Sequence, residues 1–279
     1  MFTSLISAKN RAAEHSQSVT IQPSARPTKK ERRQERKQQA RKHKETEIQH
    51  SFKEMTFQEL RTTKDKLLAE NNKDAAVKFL ERMMTTCDDL AELRTVRLEY
   101  ADMLYDTRDF IKAGTTYQEF IKLYPGSEKA EYAHYKAILC SFEQIKDAER
   151  DQTKTRETLD LATTFLEKAA LFVTYTPRVI ELADKCRQRL LEHEISITNF
   201  YLNRGSTVSA QKRIEGMRTT FSTMLPASES SILSLEIDLA TKTNNLVLAD
   251  TKRKELAQKF PDTYATLTAP KPVKLAHRF

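Results

Sequence analysis

Glycine, proline and tryptophan are scarce in this sequence, and their scarcity narrows the fold class. The 279 residues include four glycines, eight prolines and no tryptophan, which argues against an all-β sandwich, because such folds depend on many turns. Charged residues make up 31% of the chain and hydrophobic residues 39%, enough for a core beneath long solvated helices. The composition therefore predicts an all-α protein of one or two domains.

Cysteine and histidine are too few and too widely spaced to form a disulfide framework or a metal site. Three cysteines, Cys87, Cys140 and Cys186, each lie in a helical pattern, so we interpret them as small buried hydrophobic residues. Cys186 and His193 lie two turns apart on one predicted helix, too far to share an ion without a third element. We expect no disulfide, no metal and no cofactor.

Enzyme motifs and a targeting signal are also absent from the sequence. It contains no HExxH, GxGxxG, GxxxxGK[ST] or GxSxG pattern, by which several large enzyme classes are recognised. The apolar patch at Phe2, Leu5 and Ile6 is shorter than the apolar region of a secretory signal. We expect a non-catalytic protein and, in the chain as written, neither a signal peptide nor a lipid-bearing cysteine near Met1.

Positive charge is concentrated in one N-terminal segment. Between residues 26 and 44, ten cations face only Glu31 and Glu35, and this excess equals the net charge of +8 of the whole chain. The remainder is close to neutral, so we do not expect the folded part to bind nucleic acid. We predict that residues 1–50 form a solvated basic arm able to touch an anionic membrane surface. Its cations include Lys29, Lys30, Arg32, Arg33, Arg36, Lys37, Arg41 and Lys42.

The segment from Arg187 to Met217 carries the clearest helical pattern in the chain. Apolar residues recur there at spacings of three and four, as on one face of an α-helix: Leu190, Leu191, Ile195, Ile197 and Tyr201. Gly205 then permits a left-handed or tight conformation, and Ser206 or Thr207 is placed to cap a second helix from Val208. The segment predicts a helix-turn-helix hairpin of the length used by tetratricopeptide (TPR) repeats.

Similar hairpins recur along the chain. Alanines mark positions at which two TPR helices cross too closely for a larger side chain: Ala76, Ala113, Ala210 and Ala249. Pro125 and Pro261 each end a second helix, and we interpret the aromatic residues of these helices as core packing. We predict a right-handed TPR superhelix of five hairpins over residues 51–265, with a longer, degenerate third hairpin, and a frayed tail over residues 266–279.

Two stretches of the sequence resemble repeats of a known family. They are LLEHEISITNFYLNRG followed by RIEG, and YADMLYDTRDFIKAGTTYQEFIKLYPGSEKAEYAHY. The first is similar to the fourth repeat, and the second to the second repeat, of the BamD-like TPR lipoproteins of the outer-membrane β-barrel assembly machinery. The likeness runs from Phe57 to Tyr264. The chain departs from the family in lacking a signal and a lipid-attachment cysteine, in Ser222 where proline is usual, and in its basic arm.

The resemblance implies a non-catalytic scaffold at the periplasmic face of the outer membrane, acting in assembly and insertion of β-barrel proteins. In such proteins the C-terminal repeats bind a BamA-like barrel component, and the N-terminal repeats receive unfolded outer membrane proteins. We expect Arg204, Arg213 and Glu215 to contact such a partner, and the resemblance adds Arg150 and Asp151, which end a loop of the third repeat. Arg213 and Glu215 fit equally well as solvated helix charges.

Two other classes of function remain open on the sequence. The missing signal favours a cytosolic TPR adaptor that binds peptide motifs or a larger complex. The basic arm favours an RNA- or ribosome-associated protein. A coding sequence upstream of Met1 with an apolar run and a lipid-attachment cysteine would select the lipoprotein over both.

Overall fold

A computed structural model of the protein describes residues 34, 36–38 and 52–268. The described residues form α-helices joined by turns and loops, with no β-strand among them. The predicted all-α class is confirmed. The described residues from Thr56 to Thr268 belong to one compact unit.

Eleven helices follow one another between residues 57 and 268. They are α1 (Phe57–Ala69), α2 (Lys73–Thr86), α3 (Leu90–Asp106), α4 (Phe110–Leu123), α5 (Ala130–Phe142), α6 (Thr153–Leu166), α7 (Thr176–Asn203), α8 (Thr207–Phe221), α9 (Ser228–Lys242), α10 (Leu246–Lys259) and α11 (Pro261–Thr268). Each helix packs against the next along the chain, and α7 also contacts α5 and α9. Short turns at residues 70–72 and 107–109 join α1 to α2 and α3 to α4.

Four of the turns share one backbone conformation. Asn71, Arg108, Asn244 and Gly205 have φ angles of 57°, 63°, 57° and 74°, in the left-handed region that glycine and asparagine adopt most readily. Each directly precedes the N-cap residue of the next helix, and three of these caps accept a backbone N–H bond through their side chain: Asn72, Asp109 and Asn245. The prediction for Gly205 is confirmed. Ser206 is the N-cap of α8, but its side chain makes no capping bond.

Small side chains lie where these helices cross, as the repeat register predicts. Ala76, Ala113, Ala210 and Ala249 are each the fourth residue of their helix, and none has any exposed surface. The four alanines therefore occupy one equivalent position in α2, α4, α8 and α10. A larger side chain there would have to displace a neighbouring helix.

The crossing positions provide a direct test of this register. Ala113→Leu and Ala210→Leu are each expected to lower the free energy of unfolding by about 1 to 3 kcal/mol, because added methylenes overpack a closed core. The matched control is Ala91→Leu on the exposed start of α3, which should change stability by less than about 0.5 kcal/mol. Chemical denaturation of the three variants measures the difference. Equal behaviour at buried and exposed alanines would show that the register is wrong.

The C-terminal end of the repeats differs from the prediction. Pro261 follows the end of α10, as expected, but it also begins α11, since a first-turn proline lacks only an N–H that the helix does not use. Tyr264 on α11 packs against a core cluster of Leu233, Ile237 and Leu256. Helix α11 extends to Thr268, three residues past residue 265, where we predicted that the repeats end. Residues 269–279 of the predicted tail lie outside the described residues.

Two of the three cysteines are core residues. Cys140 on α5 and Cys186 on α7 have no exposed surface, whereas Cys87 at the end of α2 is half-buried. Burial raises the pKa of the Cys140 thiol to about 12 and that of the Cys186 thiol to about 11, so both stay protonated at pH 7. All three are free thiols. The interpretation as small buried hydrophobic residues is confirmed for Cys140 and Cys186.

A partly buried polar cluster joins α3, α4 and α5. The Asp102 carboxylate accepts hydrogen bonds from the hydroxyls of Tyr117 at 2.5 Å and Tyr132 at 2.6 Å. Tyr117 has no exposed surface, and the Tyr132 ring lies edge-on to it with 6.4 Å between centroids. Burial and hydrogen bonding to Asp102 raise the pKa of both tyrosines, so both keep the proton that they donate. Tyr117 is thus a core residue, as predicted, with a polar partner that the helical pattern does not indicate.

Candidate protein-interaction site

The tip of the α7–α8 hairpin exposes an aromatic ring beside an arginine. The Phe200 side chain is 52% exposed and Val208, just past the turn, is 68% exposed. Arg204 ends α7, and its guanidinium carbon lies 4.9 Å from the centroid of the Phe200 ring. The four-residue spacing places the two side chains on one helix face, where a cation–π contact orients the arginine. Protein interfaces are enriched in exposed aromatic and arginine side chains of this kind.

The same kind of exposure recurs at equivalent positions of other hairpins. Val208, Val247 and Ile111 each lie two residues before the crossing alanine of their helix, and Val247 and Ile111 are 80% and 70% exposed. Leu246 and Leu248 flank Val247 and are also exposed. The sequence analysis did not predict that these residues are exposed. An apolar residue at the start of a helix is normally assigned to the core, and here only its position relative to the crossing alanine indicates that it faces solvent.

Arg213 lies in a groove of about 390 Å³ between α6, α7 and α8. Its Nη1 atom is 2.8 Å from Oε2 of Glu194 on α7. Arg156 and Lys212 line the same groove, so three cations there face one carboxylate. Arg213 is therefore not a freely solvated charge, since it joins α8 to α7 at the edge of a cationic groove.

Glu215 stands apart from this groove. It is exposed on α8 and accepts a hydrogen bond from the Gln211 side chain at 2.9 Å, one turn away on the same helix. That contact is local and stabilises α8 only slightly. The structure therefore brings Arg213 and Glu194 together, and it leaves Glu215 on the outer surface of α8.

Arg150 and Asp151 lie on the loop between α5 and α6, which buried side chains hold in place. Gln152 is 1% exposed, and its amide donates to the carbonyl oxygens of Asp147 and Arg150 at 2.7 and 3.0 Å. His193 of α7 reaches the Ala148 carbonyl oxygen with 2.6 Å between Nδ1 and O. This hydrogen bond connects the loop to α7.

Within that loop, Asp151 has a local structural role. Its carboxylate accepts hydrogen bonds from the hydroxyl and the backbone N–H of Thr153 at 2.9 and 3.4 Å, in the first turn of α6. The hydroxyl bond is the main cause that lowers the pKa of Asp151. Arg150 and Asp151 are both exposed, and the Asp151 carboxylate is held by its local contact with Thr153.

Most of the predicted basic arm lies outside the described residues. Arg36 and Lys37 are helical and exposed, as expected of solvated cations. The eight other cations of residues 26–44 lie outside the described residues: Arg26, Lys29, Lys30, Arg32, Arg33, Arg41, Lys42 and Lys44. The predicted membrane contact of the arm therefore stays a prediction.

Two kinds of site are not found among the described residues. No group of three or more histidine, cysteine, aspartate or glutamate side chains there is placed to hold a metal ion. Within residues 52–268 and the short described segment before them, no helix is long and apolar enough to cross a membrane.

The family follows from comparison with known proteins. The model of the YfiO family, described as outer membrane lipoproteins, matches residues 53–255, which is well over half of the chain. The chain belongs to this family. The match begins just before α1 and ends within α10. It includes the α7–α8 tip, the Arg213 groove and the α5–α6 loop of this YfiO-family protein. The basic arm lies outside it.

A curated relative is consistent with this family. The outer membrane protein assembly factor BamD of Caulobacter vibrioides is 33% identical to the chain over 98 residues. The aligned stretch covers 35% of this chain and 32% of the relative. The chain thus matches about a third of that protein's length, and the resemblance to BamD-like lipoproteins in the sequence is confirmed.

Proposed function

We propose that this YfiO-family protein is a non-catalytic scaffold in the assembly and insertion of β-barrel proteins at the periplasmic face of the outer membrane. The family description and the name of the Caulobacter relative support this role. The fold is suited to it, because stacked helical hairpins present extended surfaces for proteins and peptides.

We propose further that the helices form five TPR-like hairpins in a right-handed superhelix. Four equivalent buried alanines and four equivalent left-handed turn residues support this repeat. Helix α7 contacts α5 and α9, so these alternate helices lie side by side. In a TPR superhelix, alternate helices form the layer that lines the concave face.

The observation that carries the proposal is the exposed tip of the α7–α8 hairpin. A half-exposed Phe200 that contacts Arg204, next to the exposed Val208, has the composition of an interface hot spot. We propose that this tip binds the periplasmic repeats of a BamA-like barrel component. Arg213, in the neighbouring groove, would make a charged contact with the same partner. The N-terminal hairpins remain available for unfolded barrel substrates, and the exposed Arg150 is a further candidate contact.

Two equivalent exposed residues provide a matched test of the tip. Val208→Glu should weaken binding to the purified periplasmic repeats of the cognate barrel component about tenfold, since a carboxylate would be buried in the interface. Ile111→Glu makes the same change at the equivalent position of the second hairpin and should leave binding unchanged. Titration calorimetry measures both affinities, and thermal melting checks that each variant is folded. Equal effects of the two substitutions, or none from Val208→Glu, would overturn the assignment.

A further inference from the structure

A second groove lies where α5 and α7 meet the turn between α8 and α9. Its volume is about 690 Å³, within the range of about 300 to 1,000 Å³ that is usual for ligand and peptide sites. Phe142, Ile145 and Leu225 line it, and all three are half-buried. The groove therefore offers an apolar surface that is open to solvent.

Carboxylates border the same groove. Glu181, Asp184 and Glu192 come from one face of α7, and Glu143 follows the end of α5. Lys185 and Arg189 also line it, so four carboxylates face two cations. This polarity is opposite to that of the Arg213 groove.

Each of the two cations forms an ion pair with a carboxylate on α7. Lys185 Nζ lies 2.6 Å from Oε1 of Glu181, and Arg189 Nε lies 3.8 Å from Oε2 of Glu192. The side chains of the first pair are 55% and 65% exposed, and those of the second are 38% and 43% exposed. Exposed pairs of this kind are weak and are screened by salt, so an incoming cation can exchange with them.

We propose that this groove binds an extended segment of a protein partner through a lysine or arginine side chain. The aliphatic stem of that side chain packs on Phe142 and Leu225, as long cationic side chains do on apolar surfaces. Its charged head then lies beside one of the bordering carboxylates, Glu143, Glu181 or Glu192, where charge complementarity selects a cation. The site is separate from the α7–α8 tip, and this inference stands whether or not the tip binds a barrel component.

The net charge of the chain makes the test selective. Outside residues 26–44 the chain has equal numbers of cations and carboxylates, so its net charge does not draw in a cationic peptide, and saturable binding would report a local site. The probe is the hexapeptide amide Ser-Leu-Lys-Leu-Lys-Ser with an uncharged BODIPY dye on its N-terminal nitrogen, whose fluorescence anisotropy is followed on titration with the full chain. We expect it to bind at least about tenfold more tightly than peptides with glutamate or norleucine in place of lysine.

The length of the cationic side chain tests the apolar surface separately. Replacing each lysine by 2,4-diaminobutyrate keeps a positive charge at pH 7 but removes two of the four methylenes of the aliphatic stem. If the stem packs on Phe142 and Leu225, this peptide should also bind more weakly. Equal affinity for the long and short side chains would leave only charge attraction and would contradict the packing part of the proposal.

Matched carboxylate substitutions locate the site. The double variant Glu181→Gln with Glu192→Gln should weaken binding of the lysine peptide about tenfold, because it removes two carboxylates with little change of shape. The control is Glu157→Gln with Glu119→Gln, which neutralises two exposed, ion-paired carboxylates outside this groove. Equal weakening by both double variants would indicate diffuse attraction and overturn the proposal. So would wild-type affinity in the groove variant, or no saturable binding of the lysine peptide.

Discussion

Replacing Asp102 by alanine is expected to lower the free energy of unfolding by about 2 to 4 kcal/mol. The carboxylate accepts two hydrogen bonds from tyrosine hydroxyls, and bonds to a charged group contribute about 1.5 to 3 kcal/mol each. Without it, the hydroxyl of the fully buried Tyr117 would lose its partner where water cannot replace it. Chemical denaturation followed by circular dichroism measures the loss.

Two further variants separate this cluster from a general effect of charge. Asp106→Ala lies one turn later on α3 and removes an exposed ion pair with Lys73, so it should cost no more than about 1 kcal/mol. In a Tyr117→Phe background, Asp102→Ala should cost less than in the wild type, because no buried hydroxyl is left unpaired. Strictly additive effects would mean that the Tyr117 hydrogen bond contributes little.

Phe165→Ala is expected to destabilise the protein by about 3 to 5 kcal/mol, the range for truncating a buried aromatic ring. Phe165 is 1% exposed and packs in a cluster with Ile138 and Val179. Its ring centroid lies 5.1 Å from that of Phe172 in the loop before α7. Loss of the ring would therefore open a cavity where α5, α6 and α7 meet.

An exposed neighbour provides the control for Phe165. Leu171 lies in the same loop, next to Phe172, and is 80% exposed, so Leu171→Ala should change stability by less than about 0.5 kcal/mol. Denaturant midpoints of both variants test the contrast. If Phe165→Ala costs less than about 1 kcal/mol, the three helices do not share the packed core described above.

The hairpins were predictable from the sequence because their signals are local. Alanine at a crossing and apolar residues at spacings of three and four are visible within one helix. Asn71 and Asn244 could have been read as left-handed turn residues, since asparagine tolerates that conformation. Arg108 could not, because nothing in its own side chain favours a positive φ and the flanking hairpin imposes it.

The polar clusters could not be predicted, since their partners are distant in sequence. Asp102 bonds to tyrosines on α4 and α5, and His193 on α7 bonds to a loop carbonyl before α6. Such pairs depend on how helices pack, and helical periodicity carries no information about that.

The candidate site was predictable only in part, for a related reason. Arg204 was identified through the family resemblance, and the structure adds the exposed Phe200 beside it. Glu215 was chosen by the same resemblance, yet only a local hydrogen bond is found for its side chain. A sequence pattern indicates which helix faces carry charge, but it does not show which of those charges a neighbouring helix neutralises.

The two buried thiols can be used to measure how often the helices around them separate. Cys140 and Cys186 lie in α5 and α7 with no exposed surface, so an alkylating reagent can reach them only when those helices separate. In a stack of hairpins that contact mainly their neighbours, the ends can open before the middle. The rates at which the two cysteines are labelled, resolved by mass spectrometry, would therefore time the opening of α5 and α7 without an introduced probe, and the half-buried Cys87 would serve as the reference thiol.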